Sequence, residues 1–539
     1  MTLLAVPIFG SSIEQIRRDI ERAVKLRAEV IELRVDLMEG VGDDDLRSLR
    51  DGIPEDISVI LTIRSKAEGG QWDGADDERV ARMIELGPIA DYIDVELATW
   101  LRSANIRQKL RLALGLAGHV SQSHGKEENA QANKRRLILS RHDLTTRPPT
   151  LQADLLTMLD ETLCRLPKLV WRARTIRDNF EAFELMRQSP RPSIIICMGE
   201  AGLISRLLAK KFGAFATFVS SATGHETAAG QPSLQDVKAL YRWNAIDAET
   251  LVYGVIADPV RHSLSPRAHN AAFATVSENA VFLPMQVGPS YESFKAFMVE
   301  VQARPWLDFR GFSVTIPHKE NALRYLDETG GVIDPSARRI GAVNTLTLSR
   351  DGSLAGYNTD CAAALDAIRI RQAGANRQES NLSGLSVAVL GAGGAARAVV
   401  SGLADAGADV TVFNRTEARA QSLAKAFGCR SQPWEKRVQT KAALLVNCTS
   451  VGLWPNVGES PMPAESLTPE MTVFDTIYNP LQTRLLREAA QRGCAIIAGV
   501  TMFALQAQAQ FRLWTGRSVP LEVFRQAAES GTPASTRLK

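Results

Sequence analysis

Cysteine is scarce in this chain and follows no pattern. Six residues, at positions 164, 197, 361, 429, 448 and 494, are scattered through 539 without C-x-x-C spacing. That excludes a disulfide-stapled scaffold; several lie inside apolar strand-like runs, so reduced core thiols in a cytoplasmic protein are expected. An excess of either charge is also missing. Lys and Arg number 63 against 60 Asp and Glu, a net +3, which gives no electrostatic case for nucleic acid or membrane. The longest weakly polar stretch, 384–396, is broken by Arg397, too short to span a bilayer. No basic leader precedes Met1-Thr2-Leu3-Leu4-Ala5-Val6, which reads as a first strand, so no signal or transit peptide is expected. There is no chelating His/Cys/Asp cluster, so no metal is predicted, and no internal repeat.

What is present is a repeated α/β rhythm in a chain too long for one core, for which roughly two to four domains are expected. Short apolar runs at Leu3–Ile8, Val30–Val35, Val59–Ile63, Tyr92–Glu96, Leu137–Ser140, Lys168–Trp171, Ser193–Met198 and Ala216–Val219 alternate with amphipathic stretches. They predict an N-terminal (β/α)8 TIM barrel over 1–245. A polar stretch near 119–133 reads as a loop insertion. After a joint at 244–250 the pattern restarts at Leu251. We divide the second half into a substrate-binding catalytic domain over 250–361, completed by C-terminal helices at 503–530, and a Rossmann domain over 362–502.

Working residues of a barrel gather at the C-terminal strand ends. Here those ends supply Glu32, Arg34, Arg64, Glu68, His142, Lys168 and Arg206, with Gln231 in the last loop. Any one of them alone reads better as a solvated rim charge; the set does not. A lysine entering a core needs a reason, and Lys168 opens the apolar run Leu169-Val170-Trp171. The chemistry that fits is capture of a carbonyl substrate as a Schiff base by a neutral amine, with Arg64 and Arg206 as nearby cations. His142 would move protons, Glu68 would fix its tautomer, and the arginines would grip a carboxylate.

In the second half, Gly391-Ala392-Gly393-Gly394-Ala395 lies between a β-branched run and a helix, as a pyrophosphate-binding turn does. The next strand ends in Asn414-Arg415-Thr416 rather than in an acid, which favours a 2′-phosphate and therefore NADP. Upstream, loops around Ser263-Leu264-Ser265, Thr315-Ile316-Pro317-His318-Lys319, Asn344-Thr345 and Thr359-Asp360 carry small polar groups suited to a polyhydroxylated ring acid. Ordinary turn chemistry accounts for each loop alone, but not for all of them beside a dinucleotide turn.

The first half, through Glu32-Leu33-Arg34-Val35-Asp36, Arg64-Ser65-Lys66-Ala67-Glu68-Gly69-Gly70, Arg141-His142-Asp143, Lys168, Met198-Gly199-Glu200 to Arg206, and Gly230-Gln231-Pro232, resembles type I 3-dehydroquinate dehydratase. The resemblance implies Lys168 as the Schiff-base lysine, His142 as general acid/base and Glu68 as its partner, with Glu32, Arg34, Arg64, Arg206, Thr227 and Gln231 binding substrate. The second half, through the motifs above with Asn447-Cys448-Thr449-Ser450, Asp475-Thr476-Ile477-Tyr478-Asn479-Pro480 and Gly499-Val500-Thr501-Met502, resembles shikimate dehydrogenase over about 251–525. It implies Lys319 and Asp360 as a catalytic pair, Ser263, Ser265, Thr315, Asn344 and Gln506 on substrate, and NADP held by Gly391–Ala395 and Asn414–Thr416. Departures from the family patterns are Thr227 for serine, Arg141 for a neutral residue, Ser313 for asparagine, Cys361 for glycine and Phe503 for leucine.

The two resemblances imply one bifunctional enzyme. It would dehydrate 3-dehydroquinate and reduce 3-dehydroshikimate to shikimate with NADPH, in the domain order of the fused plant enzymes. The rival readings are a quinate/shikimate dehydrogenase variant and a non-catalytic sensor of pathway intermediates. Retention of Lys168, His142, Lys319 and Asp360 speaks against the sensor. Small-molecule substrates are the only partners expected, and oligomeric state is not legible.

Overall fold

The computed structural model describes residues 2–113, 136–222, 224, 226–373 and 381–530; the 119–133 insertion lies outside them. The chain forms two compact units, 1–250 and 251–539.

In the first unit the strands are β1 (Leu3–Gly10), β2 (Val30–Met38), β3 (Ser58–Thr62), β4 (Tyr92–Glu96), β5 (Arg136–Asp143), β6 (Cys164–Arg172), β7 (Ile194–Met198) and β8 (Ala216–Phe218). They form one parallel sheet in the order β7-β6-β5-β4-β3-β2-β1-β8, a nearly closed TIM barrel. Phe215 N donates to Ser193 O and Gly199 N to Ala229 O, bridging the seam between the last two strands at both ends. Such strands are covered on both faces, which is why they read as near-continuous apolar runs.

Side-chain period two sorts the barrel interior into layers. Val30, Ile60, Tyr92, Ile138, Leu166 and Ile194 share one buried apolar cluster. Each such fully buried aliphatic side chain contributes about 1.5–3 kcal/mol. Two residues further along the strands come Glu32, Thr62, Asp94, Ser140 and Lys168, all buried. Two further still lie Arg34, Arg64, Glu96 and His142. Strand pairing sets Thr62 opposite Asp94 and Ser140 opposite Lys168. The same alternation turns Arg141 the other way, to Thr150 and Asp154 outside the barrel.

The second unit holds two sheets. The first contains β9 (Leu251–Ala257), β10 (Ala280–Gln286), β11 (Phe309–Val314), β12 (Val332–Ile333), β13 (Thr345–Leu348) and β14 (Leu354–Tyr357), in the order β10-β9-β11-β13-β14-β12. It is mixed, because β13 runs antiparallel to both neighbours. The C-terminal helices Gly499–Thr515 and Leu521–Ser530 bury Phe503, Phe511 and Phe524 in one core with Ala268, Ala272 and Phe273 of helix Ser265–Thr275.

The second sheet contains β15 (Ser386–Leu390), β16 (Asp409–Phe413), β17 (Arg430–Gln432), β18 (Leu444–Asn447), β19 (Thr472–Asp475) and β20 (Ala495–Ile497). Its order, β17-β16-β15-β18-β19-β20, is all parallel and doubly wound. The strand order reverses between β15 and β18, where such sheets open a ligand crevice at their carboxyl ends. Among the described residues no helix is long and apolar enough to cross a membrane.

Candidate active sites

Lys168 stands in the middle polar layer of the barrel, 2 % exposed. Its Nζ donates to Asp94 Oδ2 at 2.7 Å and to Glu32 Oε1 at 3.2 Å. The Phe218 ring lies 4.6 Å from the same nitrogen. The sequence led us to expect arginines around this lysine; the atoms touching it are carboxylate oxygens instead. Arg64 stands behind those acids, 3.5 Å from Asp94 and 3.8 Å from Glu32. Arg206 turns to Phe218 O at 3.1 Å, and burial lowers its guanidinium to about 10. The Glu32 carboxyl is raised by burial, but Lys168, Arg64 and Arg34 outweigh that and hold it at about 2. Thr62 Oγ1 donates to it.

His142, on β5, is held by Glu68, whose Oε2 accepts from both its backbone N–H and its ring Nδ1. Burial, with repulsion from Glu96, pushes the Glu68 carboxyl up to about 8. Burial and the cations Arg64, Lys168 and Arg34 hold the imidazole well below its ordinary range. A neutral ring donating Nδ1–H leaves the Nε2 lone pair available as a base. Nε2 is buried and has no hydrogen-bond partner among the described residues, and the same holds for Arg64 Nη2, which makes only the longer ion pairs above, Arg206 Nε and Gln231 Nε2. Such groups cost free energy unless something satisfies them, and four in one barrel mouth mark a polar ligand's place.

Thr227 offers N–H and Oγ1 to Gln231 Oε1, at 2.9 and 3.1 Å. This fixes the amide with its NH2 as the unpartnered end, so in this structure Thr227 serves Gln231. Arg34 is doubly bonded to Asp36 at 3.0 and 2.8 Å, and that carboxylate outweighs burial to raise its guanidinium.

Asp94 and Glu96 went unmarked in the sequence. Glu96 accepts from Ser65 N and Oγ and pairs with Arg79 at 2.8 Å. The signal was the alternation Tyr92-Ile93-Asp94-Val95-Glu96, which puts both acids on the face that carries Tyr92 into the barrel.

In the second unit Lys319 is the first residue of helix Lys319–Thr329, and Asp360 the first of helix Asp360–Ala373. Lys319 Nζ donates to Asp360 Oδ2 at 2.5 Å. Next to the pair, Asn344 Oδ1 accepts from Thr345 Oγ1 at 2.7 Å and Thr359 N at 2.9 Å, and its Nδ2 donates to Thr359 Oγ1 at 3.0 Å. One Asn344 N–H is left over. Gln510, on the C-terminal helix, accepts from Ser313 Oγ and donates to Asn344 O and Thr345 Oγ1. Because Thr345 Oγ1 accepts from Gln510, its own proton goes to Asn344 Oδ1, and the amide orientation follows.

Gln510 was missed in the sequence, although it lies one helical turn beyond Gln506. Gln506 itself turns back to Phe503 O at 3.1 Å rather than to the Lys319–Asp360 pair. The Phe503 ring packs 4.7 Å from Tyr478, whose hydroxyl is pushed up to about 12 by burial and by Asp360. Ser263 Oγ accepts from Ser265 N at 3.2 Å. Thr315 N donates to Ile256 O, and Thr315 O receives His318 N.

The glycine turn fits a dinucleotide. Gly391 has φ +110, and a Cβ there would lie 2.9 Å from Cys448 O across the β15/β18 crevice. Gly393 is open, and the helix Gly394–Asp405 has no side-chain cap on its first turn; free N–H groups at such an end suit a pyrophosphate. A Cβ on Gly394 would stand 3.1 Å from Lys319 Cδ, so the lysine stem runs against the turn. At the end of β16, Asn414 Nδ2 donates to Thr416 O while Arg415 and Thr416 are exposed.

Comparison with known proteins gives four family matches. The type I 3-dehydroquinase model covers 4–248. Models for the shikimate dehydrogenase substrate binding domain, shikimate/quinate 5-dehydrogenase and the shikimate 5′-dehydrogenase C-terminal domain cover 255–346, 373–445 and 499–529. The chain is 36% identical over 540 residues to the chloroplastic bifunctional 3-dehydroquinate dehydratase/shikimate dehydrogenase of Arabidopsis thaliana, covering 97% of this chain and 84% of that one. It is 41% identical over 309 residues to the NADP(+) shikimate dehydrogenase of Moorella thermoacetica, covering 54% of this chain and 99% of that one. With the Methanosarcina mazei enzyme of the same name it shares 42% identity over 283 residues, 51% of this chain and 96% of that one.

Proposed function

Because the chain belongs to the family of bifunctional 3-dehydroquinate dehydratase/shikimate dehydrogenases, we propose how its own residues divide the two reactions. The protein is a lyase and an NADP-dependent oxidoreductase of the shikimate pathway. We assign dehydration to the barrel, shikimate binding to 250–361 with 503–530, and NADP to 362–502.

In the barrel, Asp94 Oδ2 at 2.7 Å is in place to take the proton that Lys168 sheds before it attacks the substrate carbonyl. Attack expels the carbonyl oxygen as water and leaves an iminium on Nζ, which withdraws electrons from the neighbouring C–H. His142 Nε2 removes that proton and returns one to the departing hydroxyl; hydrolysis then frees the amine. Arg64, Arg206 and the Gln231 NH2 bind the substrate's carboxylate and hydroxyls, with Glu32 and Arg34 completing the wall. The observation that carries this assignment is the buried Lys168 on a barrel strand, with His142 Nε2, Arg206 Nε and Gln231 Nε2 buried and without a hydrogen-bond partner among the described residues.

In the second unit the Gly391–Ala395 turn and Asn414–Thr416 would hold NADPH, which would supply the hydride when bound. Lys319 gives a proton to the substrate oxygen as the carbonyl becomes a hydroxyl, and a proton from solvent then restores its ammonium beside Asp360. Ser263, Ser265, Thr315 and the spare Asn344 N–H orient the ring. Gln506 reaches it by releasing Phe503 O. A cytoplasmic location is proposed on the six cysteines, all free of disulfides.

Borohydride reduction in the presence of 3-dehydroquinate, followed by peptide mass mapping, tests the first assignment: the adduct is expected on Lys168. A full-length chain that turns over dehydroquinate and yields no adduct there overturns it.

A further inference from the structure

The helix Gly394–Asp405, whose first turn would face the pyrophosphate of a bound dinucleotide, is fastened to the substrate side of its unit through one guanidinium. Arg397 Nε donates to Ile340 O at 2.8 Å. Ile340 ends the short helix Pro335–Ile340, and its carbonyl belongs to the set a helix terminus leaves without an internal partner. A cation at this end also meets the negative pole of the helix. The next residue, Gly341, has φ +76, and a Cβ on it would stand 2.6 Å from Arg397 Nη2. Gly341 is therefore required twice, by its backbone and by the arginine lying on it. Behind the contact, Ile340, Ala342 and Ala398 close a small buried cluster with Cys361. Further along, Arg339 pairs with Asp405.

From Gly341 the chain runs directly into the catalytic machinery. Val343 N donates to Lys319 O at 3.0 Å, Asn344 N to Tyr357 O at 3.0 Å, and Val314 N to Asn344 O at 2.7 Å. Four residues thus separate the guanidinium from the side chain assigned to grip the substrate. On the other side, Arg397 N donates to Gly393 O at 2.9 Å, within the turn that receives the dinucleotide. Whatever orders residues 393–397 orders the position of the guanidinium, and with it the start of the 341–344 segment.

Resting on the assignment of Gly391–Ala395 to NADP and of Asn344 to shikimate, we propose that Arg397 is a positioning residue that couples the two ligands. Either ligand, by fixing its own side of the Arg397–Ile340 contact, spares the other part of the ordering cost, and the coupling is the same in both directions.

The test uses NADPH and shikimate together on the full-length chain. Both are reduced and exchange no hydride, so binding is read without turnover from NADPH fluorescence. In the wild-type chain, saturating shikimate is expected to tighten NADPH by about fivefold or more. In Arg397→Met that ratio falls to near one, while the affinity for NADPH alone stays within about threefold. Gly341→Ala, which breaks the same contact from the other side, also abolishes the ratio. The double variant is then no worse than either single one, since both remove one interaction. An unchanged ratio in Arg397→Met, strictly additive effects, or no coupling in the wild-type chain overturns the proposal. Failure of the wild-type chain to bind NADPH at all refutes the underlying site assignment instead.

Discussion

Glu68 Oε2 accepts two hydrogen bonds from the single residue His142, one from the backbone N–H and one from ring Nδ1, each at 2.9 Å. The double contact fixes both the ring's tautomer and its place on β5. His142→Ala is expected to lower dehydratase kcat by about 10²–10⁴-fold, the usual worth of a positioned acid/base. Glu68→Ala, which leaves the ring but frees it, is expected to cost about 10-fold, the worth of one buried hydrogen bond together with the ring orientation it fixes. Shikimate oxidation by the same preparations checks the second unit and should not change.

Lys319 and Asp360 are predicted to matter for chemistry rather than for cofactor affinity. Lys319→Met and Asp360→Asn are each expected to reduce shikimate oxidation by about 10²–10⁴-fold. NADPH binding and dehydratase activity should persist. Loss of NADPH binding in Lys319→Met would mean that the lysine stem against Gly394 supports the turn more than the reaction.

Gln510→Leu replaces a buried amide by an apolar side chain of similar size and leaves Thr345 free to turn its hydroxyl. The Asn344 amide then loses its enforced orientation, and a buried group left unsatisfied costs about 1–3 kcal/mol. The KM for shikimate should rise by about tenfold, with KM for NADP+ unchanged. Equal losses in both constants would point to general destabilisation.

Asp475 is fully buried among Thr483 Oγ1, Ile477 N and Asn447 Nδ2. Burial pushes its carboxyl from 3.8 up to about 7 against those three hydrogen bonds. Within that window the native chain holds a proton that the unfolded chain has released. Stability therefore falls as pH rises through it, by up to about 1.4 kcal/mol per pH unit. Urea midpoints of the second unit at pH 5 and pH 8 should show this decline in the wild-type chain and a smaller one in Asp475→Asn.

The barrel was legible because parallel strands covered on both faces leave near-continuous apolar runs, and the runs at Tyr92–Glu96 and Ala216 began where the strands do. Lys168 was legible for the same reason, as a charge inside such a run. Its neighbours were not. Asp94 comes from two strands away in the sheet, and nothing local to Lys168 announces it; only period-two arithmetic across β4 would have found it. In the second unit the glycine turn, Lys319 and Asp360 stood out as loop residues at strand ends. Gln510 did not, because a polar residue in an otherwise apolar helix face gains meaning only when β11 and β13 bring Ser313 and Thr345 beneath it. Arg397 appeared in the sequence merely as the charge that interrupts an apolar stretch, and its target, a main-chain carbonyl, has no sequence signature.

The apolar layer of Val30, Ile60, Tyr92, Ile138, Leu166 and Ile194 lies directly below the lysine shelf of the barrel. A barrel interior packed in this way is a plug, not a pore. Traffic is therefore one-way-in, same-way-out. On the assignment of the reaction to Lys168, dehydroquinate would arrive, and both dehydroshikimate and the water molecule split from it would depart, past the carboxyl ends of the barrel strands. Each turnover must clear that doorway before the next begins.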